Sequence, residues 1–154
     1  MKNLRKRVGS FLLMFAMLFA GILLPQNTKA VWAADGSMTV HFLDVGQGLS
    51  VLVESEGQTL LYDGGPRSAS SFVVSYLQEQ QISEIDYLIS SHYDEDHVSG
   101  LIGCLNAFDV ANVIGADYVH DSSLYDSFID GVAAQGLTVQ HPAVGTEYEF
   151  GSGK

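Results

Sequence analysis

The stretch Ser91-His-Tyr-Asp-Glu-Asp-His97 holds two histidines and three carboxylates within six consecutive positions, 92–97. It follows Ile85–Ile89, an apolar run typical of a buried strand, and precedes Val98, where a helix is predicted to begin. Neutral imidazole and carboxylate suit Zn²⁺, and also Mn²⁺ or Fe²⁺. An acidic helix N-terminus would explain the carboxylates through the helix dipole, but it leaves both histidines unexplained. The stretch therefore predicts a divalent metal site at the end of a strand.

The spacing within this stretch favours two ions rather than one. Side chains two positions apart lie on the same side of an extended chain, so His92 and Asp94 can converge on one ion. Asp96 and His97 fall at the turn into the predicted helix and can face a second ion. Because so short a loop cannot complete both ligand sets, we expect further ligands from elsewhere in the chain.

Short strands and helices are predicted on both sides of this stretch. Before it we expect three strands of an antiparallel meander and then a helix, at residues 38–43, 49–54, 59–62 and 69–80. After it we expect a strand at 110–114, a helix that Asp121 or Ser122 caps and Gly136 closes, and weak strands at 137–140 and 148–150. The pattern predicts a mixed α/β domain that is first antiparallel and then alternates strands with helices.

Charge divides the chain near residue 34. Five of the 7 basic residues lie in the first 30 positions, whereas all 18 acidic residues lie from Asp35 onward. Two basic residues against 18 acidic ones give this second part a net charge of −16. Such a surface argues against non-specific nucleic-acid binding, which requires positive charge. A hydrophobic content of 47% excludes a disordered chain, and the single Cys104 excludes an intrachain disulfide framework.

Residues 1–34 have the order of a secretory signal peptide. Four basic side chains at positions 2–7 precede an apolar run from Val8 to Leu24, and the helix-breaking Pro25 follows. Small residues then provide cleavage sites at Ala30, Ala33 and Ala34. A signal anchor retained in the membrane is the alternative, but an apolar run of about 17 residues is at the short limit for a bilayer span. We expect cleavage, a secreted domain at 35–154 and no stable membrane span after cleavage.

Three blocks of the mature segment resemble the metallo-β-lactamase fold superfamily. Within it they are most similar to the hydrolase-like domain of ComEC/Rec2-type competence proteins and their secreted stand-alone relatives. The blocks are Val40-His-Phe-Leu-Asp-Val-Gly-Gln-Gly48, Thr59-Leu-Leu-Tyr-Asp-Gly-Gly65, and Ser91–His97 continuing to Ser99-Gly100-Leu101. The superfamily motif H-x-H-x-D-H stands here as H-x-D-x-D-H, with Asp94 at the second histidine position. The resemblance covers residues 38–150 and implies an αββα sandwich, two sheets with helices outside.

The resemblance also implies a role for individual residues. His92 and Asp94 would bind the first metal, and Asp96 and His97 the second, with two zinc ions expected and manganese or iron as alternatives. Asp96 would also face the nucleophilic water and is the expected catalytic residue. Asp63, which ends its strand before two glycines, would support the ligand loop from behind.

The second half of the family domain is not found in this sequence. Relatives carry a Gly-Asp turn and a His-His-Gly-Ser motif that supply further ligands, whereas only His120 and His141 follow His97 here. We expect both to be ordinary surface histidines, and Asp44 to form a tight strand connection rather than act in catalysis. We therefore expect residues 35–154 to be the N-terminal half of a longer domain, with the sheet face meant for the other half exposed.

The expected function is that of a secreted metal-dependent hydrolase that uses metal-activated water. The resemblance implies phosphodiester or nucleic-acid-type substrates. The charge of −16 fits DNA poorly, so we expect either a basic patch in the second half or a small substrate. The sequence contains no G-x-S-x-G motif, and Cys104 is expected in the core. The alternative is a non-catalytic exported protein that binds a metal or a partner, and we expect this chain by itself to be weakly active or inactive.

Overall fold

Alternating apolar side chains build one six-stranded sheet. The computed structural model describes residues 36–152, and its strands are β1 (Met38–Phe42), β2 (Val51–Ser55), β3 (Gln58–Tyr62), β4 (Glu84–Ser90), β5 (Asp109–Gly115) and β6 (Val139–Gln140). The described helices are α1 (Ser70–Glu79), α2 (Glu95–Ala107) and α3 (Ser123–Ala134), and a 3-10 turn at Arg67–Ala69 leads into α1. The strands lie in chain order across the sheet, with β1 to β3 antiparallel and β3 to β6 parallel. The predicted mixed α/β class is confirmed.

The three helices cover one face of this sheet. The strand register aligns a row of fully buried residues across its centre, consisting of Leu52, Leu61, Leu88 and Val113. The same core cluster takes apolar residues from every helix, among them Val73, Leu77, Val98, Leu101, Phe128 and Val132. The apolar side of each helix therefore faces the sheet, as expected for helices that pack against a layer of strands.

The opposite face of the sheet is also apolar and is only partly covered. Its central row in register is formed by Phe42, Val51, Tyr62, Ile89 and Ile114. Phe42, on the outermost strand, is 78% exposed. The expected open sheet face is therefore present along β1, whereas Ile114 near the other edge is buried.

The end of the described chain crosses this second face without forming a strand. The prediction of a strand at 148–150 is wrong, since only Phe150 makes an isolated bridge. The rings of Tyr148 and Phe150 instead pack on Tyr87, with centroids 5.7 and 6.2 Å away. The Tyr87 hydroxyl also donates to the carbonyl of Glu149. Because the contacts use the Tyr87 side chain, this segment lies over the sheet rather than beside it.

Helix α2 begins three residues earlier than predicted, at Glu95 rather than near Val98. The apolar spacing first becomes visible at Val98, so the polar first turn carries no such signal. The acidic Glu95 and Asp96 favour this turn because they interact well with the positive end of the helix dipole. The earlier start places Asp96 and His97 on the helix itself rather than in the loop before it.

Other boundaries agree with the sequence prediction. Ser122 caps α3, since its hydroxyl accepts a hydrogen bond from the Tyr125 amide, and Gly136 follows that helix with a φ of +74°. The predicted signal peptide at 1–34 lies outside the described residues. Within residues 36–152, none of the helices has both the length and the apolar character that a membrane span requires.

Candidate metal centre

The candidate site lies where two neighbouring parallel strands end. β3 runs into Asp63 and β4 runs into Ser91, and the parallel register brings both ends to the same edge of the sheet. The amide of Asp63 donates to the carbonyl of Ile89 over 2.8 Å, which extends the pairing by one residue. The chain from Ser91 to Asp94 then leads into α2. The predicted site residues therefore come from two strand ends and the first turn of one helix.

Three of the predicted ligands already converge. One ligand atom each from His92, Asp96 and His97 lies within 4.8 Å of the other two. The rings of His92 and His97 have centroids 4.0 Å apart, and Nε2 of His97 lies 3.9 Å from Oδ2 of Asp96. The structure thus groups His92 with the pair that the resemblance assigned to the second ion.

Asp63 lies behind the histidine of helix α2 and contacts its ring. Its side chain is fully buried, and Oδ2 lies 2.8 Å from Nδ1 of His97. The same carboxylate accepts hydrogen bonds from the amide and hydroxyl of Ser91, over 2.8 and 2.6 Å. Because an ionised carboxylate only accepts, it holds the proton of His97 on Nδ1 and leaves Nε2 free toward the site.

His92 is oriented in the same way through an intermediate hydroxyl. Nδ1 of His92 lies 2.8 Å from Oγ of Ser91, which itself donates to Asp63. The Ser91 oxygen therefore accepts from Nδ1 of His92, and Nε2 of this histidine also remains free. Two Nε2 atoms with fixed orientation and a nearby carboxylate form a donor set that fits a divalent ion such as Zn²⁺.

Asp94 lies at the outer side of this cluster, where its side chain is 61% exposed. It is the N-cap residue of α2, yet its carboxylate makes no capping hydrogen bond. Its Oδ2 lies 3.5 Å from Nε2 of His92, so the predicted pair faces each other. Its Oδ1 lies 3.6 Å from Nε2 of His120, which sequence reasoning placed among the ordinary surface histidines. The structure therefore brings a further imidazole to this side of the site.

A pair of tyrosines fastens the loop of His120 to the ligand stretch. Tyr93, which lies between His92 and Asp94 in the sequence, has a fully buried side chain. Its hydroxyl donates to the carbonyl of Ala116 over 2.8 Å. The Tyr93 amide also donates to the hydroxyl of Tyr118. Desolvation by burial, with smaller contributions from Tyr125, Tyr118 and Asp117, raises the pKa of Tyr93 to about 12. Tyr93 is therefore a structural residue that remains neutral.

Glycines let the three sequence blocks approach through their backbones. A Cβ on Gly100 would overlap the carbonyl oxygen of Gly64, and one on Gly64 would overlap the amide of Leu101. A Cβ on Gly48 would overlap the carbonyl oxygen of Asp96. The amide of Gly64 donates to the carbonyl of His97 over 2.7 Å. The glycine turns thus press directly on the first turn of α2 and fix its position.

The remaining candidate residues have structural contacts. One carboxylate oxygen of Asp44 accepts from the amide of Gly46 at 3.3 Å, in keeping with the expected turn. Cys104 is completely buried, and burial raises the pKa of its thiol to about 12, which agrees with its expected place in the core. His141 is exposed, and its Nδ1 lies 3.1 Å from the carbonyl of Gly115.

The sequence of this chain matches the model of one known protein family. The model of the metallo-β-lactamase superfamily matches residues 43–150. The chain belongs to this superfamily. Its members generally bind divalent metals, usually zinc, and the cluster of His92, Asp96 and His97 is a candidate site for such ions.

Two curated relatives place the chain within this superfamily more closely. It is 35% identical over 116 residues to "Recombination protein 2" of Haemophilus influenzae, which is 72% of this chain. It is 36% identical over 85 residues to "Competence protein ComA" of Neisseria gonorrhoeae, which is 54% of this chain. These matches confirm the ComEC/Rec2-type resemblance. The aligned regions amount to 13% and 12% of these two relatives, so the chain spans about an eighth of their length.

Solved metallo-β-lactamases share the fold. A metallo-β-lactamase variant from Cronobacter sakazakii superposes with a TM-score of 0.54 and 16% identity, covering 79% of this chain and 49% of that one. MEM-A1, from a soil metagenome, superposes with a TM-score of 0.50 and 17% identity, covering 79% and 48%. Each superposition covers about half of the solved chain. At this identity the likeness establishes the fold alone.

Proposed function

We propose that the chain is a metal-dependent hydrolase that cleaves phosphodiester or nucleic-acid-type substrates with metal-activated water. The convergence of His92, Asp96 and His97, with both Nε2 atoms directed by hydrogen bonds at Nδ1, carries this proposal. Two divalent ions, zinc first and manganese or iron as alternatives, are the proposed cofactors. When bound, such ions lower the pKa of a water molecule and stabilise negative charge that develops on the substrate.

Each residue has a separate part in this proposal. His92 and Asp94 hold one ion, and Asp96 and His97 hold the other. Asp96, whose side chain is 28% exposed, orients the attacking water and accepts its proton. Asp63 keeps His97 in the tautomer that presents Nε2, and Ser91 passes the same constraint to His92. No protein nucleophile is required, in keeping with the neutral, buried Cys104.

The substrate class rests on the relatives, since one is named a recombination protein and the other a competence protein. Both names point to nucleic acid. The acidic surface from Asp35 onward, with a net charge of −16, opposes a long polyanion, because like charges repel over the whole contact. A short phosphodiester, or a nucleic acid held by a partner that adds positive charge, is compatible with both observations.

We further propose that the protein acts outside the cytoplasm. The support is the order of basic, apolar and small residues at 1–34, which is that of a secretory signal peptide. Fusion of residues 1–40 to a reporter enzyme that is active only after export tests this part. Export of the reporter with removal of the leader is expected, whereas a reporter that stays inside the cell contradicts it.

Metal analysis followed by turnover of bis(p-nitrophenyl) phosphate tests the hydrolase. We expect bound zinc or manganese and a low rate of hydrolysis that His92→Ala abolishes. His141→Ala is the matched control, because His141 lies at the same sheet edge and makes no ion pair with a carboxylate in residues 36–152. A protein that binds metal but cleaves nothing would favour the alternative, a non-catalytic exported protein that binds metal or a partner.

A further inference from the structure

We propose that His120 is an additional metal ligand, which joins Asp94 and His92 on the exposed side of the site. This inference rests on the proposed metal centre and deepens it, because it names a ligand outside the H-x-D-x-D-H stretch. The sequence carries no signal for it: His120 lies 23 positions after His97, in a loop between a strand and a helix.

The distances around Asp94 support a shared ion rather than hydrogen bonds. Nε2 of His92 lies 3.5 Å from one carboxylate oxygen, and Nε2 of His120 lies 3.6 Å from the other. Both exceed the roughly 3.2 Å at which such hydrogen bonds normally end. Two ligands each about 2.1 Å from a tetrahedral zinc ion lie roughly 3.4 Å from each other. Each histidine therefore lies from Asp94 at the spacing of two ligands of one ion, more nearly than at that of a hydrogen-bonded pair.

His120 also has the rear support that a ligating imidazole requires. Its Nδ1 lies 2.9 Å from Oγ of Ser122, the hydroxyl that caps α3. In the tautomer with its proton on Nδ1, His120 donates to Ser122 and presents the lone pair of Nε2 toward Asp94. The imidazole is 32% exposed, similar to His92 at 36%. An ion could thus reach it from solvent.

The loop that carries His120 is held in place from its other end. Tyr93 donates to the carbonyl of Ala116, and Tyr118 accepts from the Tyr93 amide. Tyr93 lies between His92 and Asp94 in the chain, so these contacts hold the loop against the segment that carries the two residues His120 would join. Asp94 is free for such a role, because its carboxylate does not cap α2.

Titration of the metal-free protein with Co²⁺ tests this inference through visible absorption and affinity, without reference to activity. We compare the wild-type chain with His120→Ala, His120→Gln and the control His141→Ala. We expect about 100-fold weaker Co²⁺ binding and a changed d–d spectrum for both His120 variants, with the His141 variant like wild type. A far-ultraviolet circular dichroism spectrum shows that each variant is folded.

The outcomes separate this inference from the proposed function. A wild-type chain that binds Co²⁺ while His120→Ala keeps the same affinity and spectrum overturns the role of His120 and leaves the metal centre intact. A change caused by His141→Ala instead of His120→Ala also overturns it. A wild-type chain that binds no Co²⁺, Zn²⁺ or Mn²⁺ overturns the metal centre itself and the inference with it.

Discussion

The buried carboxylate of Asp63 and Nδ1 of His97 lie 2.8 Å apart, so a side-chain hydrogen bond joins the end of a strand to the start of a helix. The same carboxylate binds Ser91, and through it His92. Orientation of both histidines therefore depends on one residue that does not face the site.

Replacement of Asp63 by asparagine should weaken metal binding without unfolding the protein. An amide has one accepting oxygen, so it cannot accept both from Nδ1 of His97 and from the Ser91 amide, which contact different oxygens of the carboxylate. We expect zinc affinity to fall by roughly 10- to 100-fold, the usual effect of losing such a partner. Competition with a chelator of known affinity measures it. The control is Asp109→Asn, an exposed residue at the start of β5, and equal affinity in both variants would refute the role of Asp63.

Zinc should stabilise the folded chain against heat. A ligand present at 100 times its Kd adds about 2.7 kcal/mol, which corresponds to a rise in Tm of roughly 10 °C for a domain of this size. Differential scanning calorimetry with zinc, and again after addition of a chelator, measures the shift. His97→Ala should lose most of it, whereas His141→Ala should retain it. A shift of the same size in His97→Ala would mean that zinc binds elsewhere.

Two helical glycines should respond differently to alanine. At Gly100 the new methyl group would overlap the carbonyl oxygen of Gly64, whereas at Gly131 it would lie 3.3 Å from the flexible end of Leu105. We expect Gly100→Ala to lower the free energy of unfolding by about 1–3 kcal/mol, as overpacking does. Gly131→Ala should stay within about 1 kcal/mol of wild type, because helix propensity offsets the tighter contact. Urea denaturation gives both values, and equal effects would show that the backbone approach at Gly100 is easily relieved.

Alanine substitutions of two neighbouring leucines on β3 should lower stability by different amounts, because the two side chains lie on opposite faces of the sheet. Leu61 is fully buried against the helices, whereas Leu60 lies half-buried on the open face. Leu61→Ala should cost about 2–5 kcal/mol of stability, the range for a core leucine. Leu60→Ala should cost about 1 kcal/mol or less, because it leaves no closed cavity. Chemical denaturation of both variants is the measurement, and a large loss at Leu60 would indicate that this face is covered in solution.

Alkaline conditions should destabilise the fold through two buried groups. Burial raises the pKa of Cys104 from 9.0 to about 12, and mainly burial raises that of Tyr93 from 10.0 to about 12. Both groups hold protons more tightly in the folded chain than in the unfolded one. Their contribution is therefore complete below pH 9 and is lost as the pH rises toward 12. Denaturation curves between pH 8 and 12 measure this decline.

The variant Cys104→Ala isolates the first part of that decline. Without the thiol, the contribution of Tyr93 remains, and it begins to fall only near its unfolded pKa of 10.0. We expect the stability of this variant to be nearly constant between pH 9 and 10, where wild type already loses stability. The same slope in both proteins over this interval would show that Cys104 does not titrate as described.

Most of the fold could be predicted because its signals are local. Alternation from Met38 to Tyr62 and helical spacing from Val98 to Leu105 each report which side chains face the core. The start of α2 and the end of the described chain could not be predicted in this way. The first turn of α2 is polar, and Tyr148 and Phe150 are placed by a distant ring on β4. Neither arrangement leaves a periodic pattern in the sequence.

The site residues also differ in whether a local sequence pattern predicts them. His92, Asp96 and His97 lie together in sequence, so their spacing alone predicts a metal site. The family resemblance implied only that Asp63 supports the ligand loop, whereas the structure shows that its Oδ2 contacts Nδ1 of His97. His120 was missed because its approach to Asp94 depends on the tyrosine contacts between two loops. Proximity created by side chains buried between loops has no signature in residue spacing.

The backbone contact between Gly64 and Gly100 has a genetic consequence. Each residue already has the smallest possible side chain, and the two meet through main-chain atoms. A larger residue at either position therefore has no partner that could shrink to make room for it. Searches for second-site suppressors of Gly100→Ala should recover changes that strengthen the protein elsewhere, and none at position 64.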